Sequence, residues 1–175
     1  WCYRCPFSQE YMGETAENLT EEFQYEREAM DEYAASSQAR ACAAIDSGFL
    51  SRQIAPIEVP DGRATRTFEV DESPRRGVDA ERLSKLRPAF KEGGKVTAGN
   101  SSGVTDGAAA ILVGSRESFE KEGVQPEARV VDWAVVGVPP RIMGHGPVPA
   151  IQQLLERTGL AISDVDYFEV NEAFA

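Results

Sequence analysis

Apolar runs that alternate with helical patterns constrain the fold of this chain more than any other feature. Mostly apolar runs at residues 108–113, 128–138 and 167–170 are typical of buried strands. The segments between them, 115–122 and 147–158, have helix-like polarity, and each is followed by a glycine that can end a helix. The order strand, helix, strand, helix, strand predicts a layered α/β core from about residue 105 onwards.

The earlier residues predict a more helical and loop-rich region, either a separate subdomain or a large insertion. Residues 14–48 predict two helices, and Asp79 can cap a third, short one. Residues 53–59 and 65–70 predict short strands. Small and apolar side chains recur on one face of the second helix at spacings of three and four: Met30, Tyr33, Ala34, Ser37, Ala41, Ala44 and Ile45.

The charge balance argues against several classes of partner. Asp and Glu number 29 against 18 Lys and Arg, a formal charge of −11, so nucleic-acid phosphates and anionic membrane surfaces are repelled. No apolar run approaches the roughly 18–20 residues that span a bilayer. The first ten residues lack the basic and apolar stretches of a signal peptide. We therefore expect no nucleic-acid or membrane partner, and a cytoplasmic location.

Cysteine usage leaves one alternative open. The odd number of cysteines, 3, fits a reducing compartment. Cys2 and Cys5 have zinc-knuckle spacing, but no second Cys or His pair follows, and a structural zinc ion needs four ligands. The sequence predicts no metal site, and a small structural or metal-binding protein is the alternative that a zinc assay would test.

Three polar segments could carry chemistry. Five glycines lie between residues 93 and 107, which predicts either a ligand-binding loop or a tight structural turn. His145, the sole histidine, precedes a helix N-terminus and could be a general base, although an exposed loop histidine explains it more simply. Asn171 and Glu172 follow a predicted buried strand, at the sheet edge where α/β folds bind ligands.

Four motifs in this order resemble the signatures of the thiolase family: MGETAENL (12–19), TAGNSSGVTDGAAA (97–110), MGHGPVPA (143–150) and NEAFA (171–175). The resemblance covers about residues 11–175. It implies the thiolase layered α/β fold (αβαβα), only partly represented here. It also implies acyl-CoA C-acyltransferase activity, either thiolysis of a 3-ketoacyl-CoA or Claisen condensation of two acyl-CoA. A non-catalytic module that binds CoA or acyl groups is the alternative.

The resemblance assigns expected roles to seven residues. Asn171 matches the asparagine that holds an oxyanion-hole water. Ser102 matches the serine that contacts the pantetheine arm of CoA, and Arg75 matches a basic residue at its nucleotide end. The remaining matches line the pantetheine and acyl pocket: Met12, Met143, Ala173 and Phe174. Coenzyme A is expected as a substrate, with no permanently bound cofactor, and the complete protein is expected to be a homodimer or homotetramer.

Other parts of the family pattern have no match. The nucleophilic cysteine is expected before residue 1, and the histidine of a GHP motif and the second cysteine of a CxGxG motif are expected after residue 175; neither motif occurs here. Tyr11 stands where some members have a histidine. The chain, which begins at Trp1 and stops at Ala175, is therefore expected to be a fragment that is inactive alone.

The expected domain organisation follows the family. Residues 1–104 would be the loop subdomain that covers the active site and binds CoA. Residues 105–118 would return a strand to the N-terminal core, and residues 119–175 would begin the C-terminal core.

Overall fold

The computed structural model describes residues 4–175. Its helices are α1 (Met12–Glu22), α2 (Arg27–Asp46), α3 (Ala80–Ser84), α4 (Arg116–Glu122) and α5 (Pro147–Thr158). Short 3₁₀ helices span Leu50–Arg52, Pro140–His145 and Ile162–Asp164. Strands β1 (Ile57–Asp61) and β2 (Ala64–Phe68) form an antiparallel hairpin, in which Ile57 faces Phe68.

The helix predictions are confirmed, and their ends follow local chemistry. Asp79 accepts a hydrogen bond from the Arg82 backbone N–H and so caps α3. Ser115 caps α4 in the same way. Gly123 and Gly159 adopt the left-handed conformation that ends α4 and α5.

The three buried strands predicted for the second half are absent from the described chain. Residues 108–113, 128–138 and 167–170 pair with no strand there. Most of their apolar side chains are exposed, with Ile111 at 86%, Val135 at 88% and Tyr167 at 92% of their surface. A strand needs a neighbour for its backbone N–H and C=O groups, and residues 4–175 provide none for these runs. The predicted buried strands are therefore not formed within residues 4–175.

The chain divides into two units. The first comprises the residues up to Gly103, Pro140–Ile142 and Val170–Ala175, and the second comprises Val104–Pro139 and Met143–Glu169. In the first unit, Ala16, Met30 and Val96 form a buried core cluster against which Phe174 and Ala175 pack.

The second unit holds α4 and α5. The half-buried face of α5 is the predicted one, Ile151, Leu154, Leu155 and Thr158. Arg157 on α5 donates hydrogen bonds to Asp132 Oδ1 (2.8 Å) and to the Trp133 carbonyl (3.0 Å), which tie the helix to residues 132 and 133. Within the described residues, no helix combines the length and apolar character needed to cross a bilayer.

Candidate functional site

The NEAFA segment and the glycine-rich loop pair directly in the first unit. The backbone N–H of Ser102 donates to the Ala173 carbonyl, and the N–H of Ala175 donates to the Asn100 carbonyl, both at 2.9 Å. Ser101 and Phe174 form an antiparallel bridge between these two hydrogen bonds. Two segments that lie about 70 residues apart in the sequence therefore form one short, backbone-paired structure.

Asn100 holds the glycine-rich loop in shape from inside. Its side chain is 2% exposed. Its Oδ1 accepts from the Thr97 backbone N–H (2.7 Å), and its Nδ2 donates to Asp31 Oδ1 and to the Lys95 carbonyl (both 3.0 Å). Because a buried amide without partners is costly, these bonds restrict the loop to one conformation. These bonds make the loop a structural turn, and its predicted role in ligand binding stays a prediction.

Asp31 and Arg27 extend the same network across α2. Asp31 is 1% exposed, and Arg27 Nε donates to its Oδ2 at 2.7 Å. The guanidinium of Arg27 also donates to the carbonyls of Leu83 (2.7 Å) and Leu86 (3.1 Å). The buried aspartate is thus paired on one side by a cation and on the other by an amide, as a buried charge requires. The network connects α2, the end of α3 and the glycine-rich loop.

Glu17 is a second buried anchor that the sequence argument overlooked. Its carboxylate is 2% exposed and accepts from the backbone N–H groups of Lys95 (2.9 Å) and Val96 (2.8 Å). A Cβ on Gly94 would lie 2.2 Å from Glu17 Oε1, so the glycine makes room for this contact. A charged residue on the inner face of α1, in step with Ala16 and Thr20, was the signal available in the sequence.

Met12 begins α1, and the Phe174 ring is connected to α1 through the Phe90 ring. Met12 is half-buried at the first position of α1. The Phe90 ring packs over Gly13, where a Cβ would lie 2.3 Å from the ring, and meets the Phe174 ring edge-on at a centroid distance of 6.3 Å. Phe174 therefore has a packing role in the core, and its predicted contact with CoA stays a prediction.

Asn171 is exposed and directly precedes an anchored residue. Glu172 accepts hydrogen bonds from Tyr33 Oη (2.8 Å) and Ser37 Oγ (2.5 Å) on α2. Both bonds hold the pKa of the Glu172 carboxyl below its ordinary value, and the bond from Ser37 contributes more than the bond from Tyr33. Both contacts tie the residue after Asn171 to helix α2.

Arg75 and Arg76 are neighbours with different surroundings. Arg76 donates two hydrogen bonds to Asp46, at 2.7 and 2.6 Å, which lower the pKa of that carboxyl. Arg75 is exposed, and its backbone N–H donates to Gln38 Oε1 at 2.7 Å. Within residues 4–175, the Arg75 guanidinium makes no ion pair. Arg75 is therefore the one of the two whose charge is available to a ligand.

Met143 belongs to the second unit, whereas the other six predicted site residues belong to the first. It is 40% exposed within the 3₁₀ helix Pro140–His145. His145 ends this helix and is half-buried, so it is not the exposed loop histidine that the sequence favoured. Because α5 begins directly after it with Pro147, the segment still lies at a helix N-terminus, as predicted.

The zinc alternative rests partly on Cys2, which lies outside the described residues. Cys5 is buried, and hydrogen bonds from Ser8 hold the pKa of its thiol below its ordinary value. Among residues 4–175 no group of three or more Cys, His, Asp or Glu side chains could hold a metal ion.

Comparison with known families decides which class of protein this is. The family model described as "Thiolase, N-terminal domain" matches residues 2–117, and "Thiolase, C-terminal domain" matches residues 124–175. The chain belongs to the thiolase family. This result confirms the resemblance drawn from the four motifs. The three expected domain ranges stay predictions.

Known thiolases match nearly the whole of this chain but less than half of their own length. The mitochondrial 3-ketoacyl-CoA thiolase of Bos taurus is 48% identical over 164 residues, which cover 94% of this chain and 41% of that protein. The acetyl-CoA acetyltransferase of Escherichia coli K12 is 47% identical, covering 94% and 42%. The chain thus spans about two fifths of the length of the curated thiolases it matches.

Solved thiolase structures confirm the fold class. The acetyl-CoA acetyltransferase of Bacillus anthracis superposes with a TM-score of 0.94 at 45% identity, over 98% of this chain and 44% of that one. Human mitochondrial 3-ketoacyl-CoA thiolase in complex with CoA gives 0.92 at 45% identity, over 99% and 43%. The dimeric peroxisomal thiolase of Saccharomyces cerevisiae gives 0.87 at 45%, over 93% and 41%. The chain therefore carries part of the thiolase α/β fold.

Proposed function

We propose that the whole protein carrying these residues is an acyl-CoA C-acyltransferase, which cleaves a 3-ketoacyl-CoA with CoA or condenses two acyl-CoA. The observation that supports it best is the backbone pairing of NEAFA with the glycine-rich loop at Ser102 and Ala175. This pairing joins the segment that holds Asn171, Ala173 and Phe174 to the loop that holds Ser102, both in the first unit. Four of the seven expected site residues are thereby linked through a few backbone hydrogen bonds.

The chemistry explains why a neutral amide would be needed at Asn171. Both directions of the reaction pass through an enolate next to a thioester, and donors placed in advance at the enolate oxygen are usually the largest stabilising contribution. An amide is neutral at every working pH and can both donate and accept a hydrogen bond, so it can hold an oriented water. The exposed side chain of Asn171 is accessible to such a water.

Substrate binding would rely on a local positive charge. CoA carries several phosphate charges, whereas the chain has a formal charge of −11. Arg75, exposed and free of ion pairs among the described residues, supplies that charge, and Ser102 would contact the pantetheine arm. Met12, Met143, Ala173 and Phe174 would line the pantetheine and acyl pocket. CoA would act as a substrate, with no permanently bound cofactor.

The proposal also covers the oligomeric state of the whole protein and its cellular location. A homodimer or homotetramer is supported by the yeast relative, which is described as dimeric. The relatives include mitochondrial and peroxisomal proteins, so family membership does not fix a compartment. The proposed cytoplasmic location rests on the odd number of cysteines, 3.

A thiolysis assay tests the proposal. The whole protein is incubated with acetoacetyl-CoA and CoA, and the two acetyl-CoA formed are quantified by chromatography; the condensation direction is measured separately. Stoichiometric acetyl-CoA formation supports acyl transfer. Binding of CoA without turnover of acetoacetyl-CoA or of longer 3-ketoacyl-CoA would instead favour the non-catalytic binding module.

A further inference from the structure

Glu172 joins the NEAFA segment to helix α2 through both of its carboxylate oxygens. Tyr33 Oη donates to Oε1 at 2.8 Å, and Ser37 Oγ donates to Oε2 at 2.5 Å. Tyr33 and Ser37 are four residues apart on α2, so their side chains lie one above the other on the same helix face. One carboxylate therefore meets two hydroxyl donors that a rigid helix holds at a fixed separation.

The charge on Glu172 strengthens this contact. Because the two hydroxyl bonds favour the ionised form more than partial burial opposes it, the pKa of the Glu172 carboxyl lies below its ordinary value. The carboxylate is consequently ionised at neutral pH and accepts both bonds. Hydrogen bonds to an ionised acceptor are about twice as strong as neutral ones.

The other anchors of the segment all lie beyond Glu172. Ala173 accepts from Ser102, and Ala175 donates to Asn100. Among the described residues, Asn171 takes part in no hydrogen bond of its own. The contact between Glu172 and α2 is thus the fixed point nearest to Asn171 along the chain.

We propose that Glu172 is a positioning residue, whose contacts with Tyr33 and Ser37 set the place of the Asn171 side chain in the proposed acyl transfer. This inference rests on the proposed function. A displacement of about 1 Å at a reacting centre can cost on the order of a hundredfold in rate. Loss of the Glu172 contact should therefore lower kcat by ten- to a hundredfold (an order-of-magnitude range from the same principle). KM for CoA esters should change less than kcat, since the expected CoA contacts outside residues 171–175, the side chains of Arg75 and Ser102, are not substituted.

A set of variants in the whole protein separates positioning from charge. Glu172→Ala removes both contacts. Glu172→Gln keeps the shape, because its amide oxygen accepts from Tyr33 and its amide nitrogen donates to the Ser37 hydroxyl. Tyr33→Phe combined with Ser37→Ala removes the two donors and leaves Glu172 in place. Glu169→Ala is the matched control, since Glu169 is an exposed glutamate with no ion pair or hydrogen bond among the described residues.

The expected result is a loss of kcat in Glu172→Ala and in the double variant, with recovery to within about threefold of the unsubstituted protein in Glu172→Gln. Glu169→Ala should behave as the unsubstituted protein. A kcat within twofold in Glu172→Ala would overturn the inference. Equal damage from Gln and Ala would overturn it too, because the charge itself and not the position would then be what matters.

Hydrogen exchange of the backbone amides at 171–175 tests whether Glu172 anchors this segment to α2, and it does so whether or not the protein catalyses acyl transfer. Exchange there should rise at least about tenfold in Glu172→Ala, the equivalent of one lost hydrogen bond to a charged group, and should change little in Glu172→Gln. If the unsubstituted protein shows no acyl transfer, the proposed function fails while this readout still decides the anchoring. Unchanged exchange in Glu172→Ala overturns the inference in either case.

Discussion

The two units of the chain treat their apolar residues differently. In the first unit, Ala16, Met30, Leu83 and Val96 are buried, and the buried Glu17 and Asn100 side chains are hydrogen-bonded. In the second unit, no residue within Val104–Pro139 or Met143–Glu169 is fully buried, and Trp133 exposes 72% of its surface. The same chain therefore holds one region with a closed core and one region in which no apolar side chain is fully buried.

The difference shows which sequence patterns specify local structure without help from distant residues. Helices α4 and α5 form in the second unit because a helix satisfies its own backbone and is ended by its own glycine. The apolar runs at 108–113 and 128–138 form no strand, because a strand is completed only by a neighbour. In this chain a helical pattern is enough to predict a helix. A buried-strand pattern predicts a strand only where a neighbouring strand is present to pair with it.

The largest expected effect concerns catalysis by the 175-residue chain alone. Neither the GHP nor the CxGxG motif occurs in its sequence, and removing nucleophile or base typically costs on the order of 10⁴-fold or more. We expect no thiolysis of acetoacetyl-CoA above the rate without protein. Turnover by the purified chain that persists after alkylation of its thiols would contradict this expectation.

The exposed apolar runs should make the isolated chain associate. Val130 and Val135 expose 72% and 88% of their surface in a segment with no strand partner among the described residues. Unpaired apolar edges favour aggregation at micromolar concentrations. Light scattering should therefore detect oligomers, and replacing both valines with Lys should reduce them. A sharp, cooperative melt of a monodisperse monomer would contradict both the expectation and the contrast between the units.

The sequence predicted the helices and the hairpin strands better than the three apolar runs, which form no strand within residues 4–175. Asp79, Ser115 and Gly123 act locally, so their roles could be read from the residues beside them. The burial of Glu17 and Asp31 depends on a loop about 70 residues further along, so composition and spacing could not show it. The motifs predicted which segments carry the expected site residues. That Ser102 pairs with Ala173 through the backbone could be seen only in the structure.

Glu17 offers a test of the closed core of the first unit. Glu17→Ala leaves the backbone N–H groups of Lys95 and Val96 without their partner, which costs about 3 kcal/mol, roughly a hundredfold in local opening. Hydrogen exchange at these two amides in the whole protein should rise accordingly. Glu32→Ala, an exposed change on α2, is the control and should leave the exchange unaltered. Equal behaviour of the two variants would show that the buried carboxylate does not hold the loop.

The smallest effect is expected at the neighbouring arginines. Arg75→Ala should raise KM for CoA esters several-fold and leave kcat nearly unchanged, because ground state and transition state lose the same contact. Arg76→Ala is the matched control, since that guanidinium is already bound to Asp46. Steady-state kinetics on the whole protein measures both. An unchanged KM in Arg75→Ala, or an equal rise in Arg76→Ala, would place Arg75 in an ordinary solvated loop.

The most direct measurement compares Asn171→Asp with Asn171→Ala in the whole protein. If the paired motifs position Asn171 for an oxyanion-hole water, loss of the amide costs on the order of 10²–10³ in kcat, or roughly 3–4 kcal/mol. A carboxylate would repel the developing enolate oxygen, so the Asp variant should be at least as slow as the Ala variant, with both retaining the melting temperature of the unsubstituted protein. An Asp variant with near-normal kcat would contradict the assignment of Asn171 to the reaction.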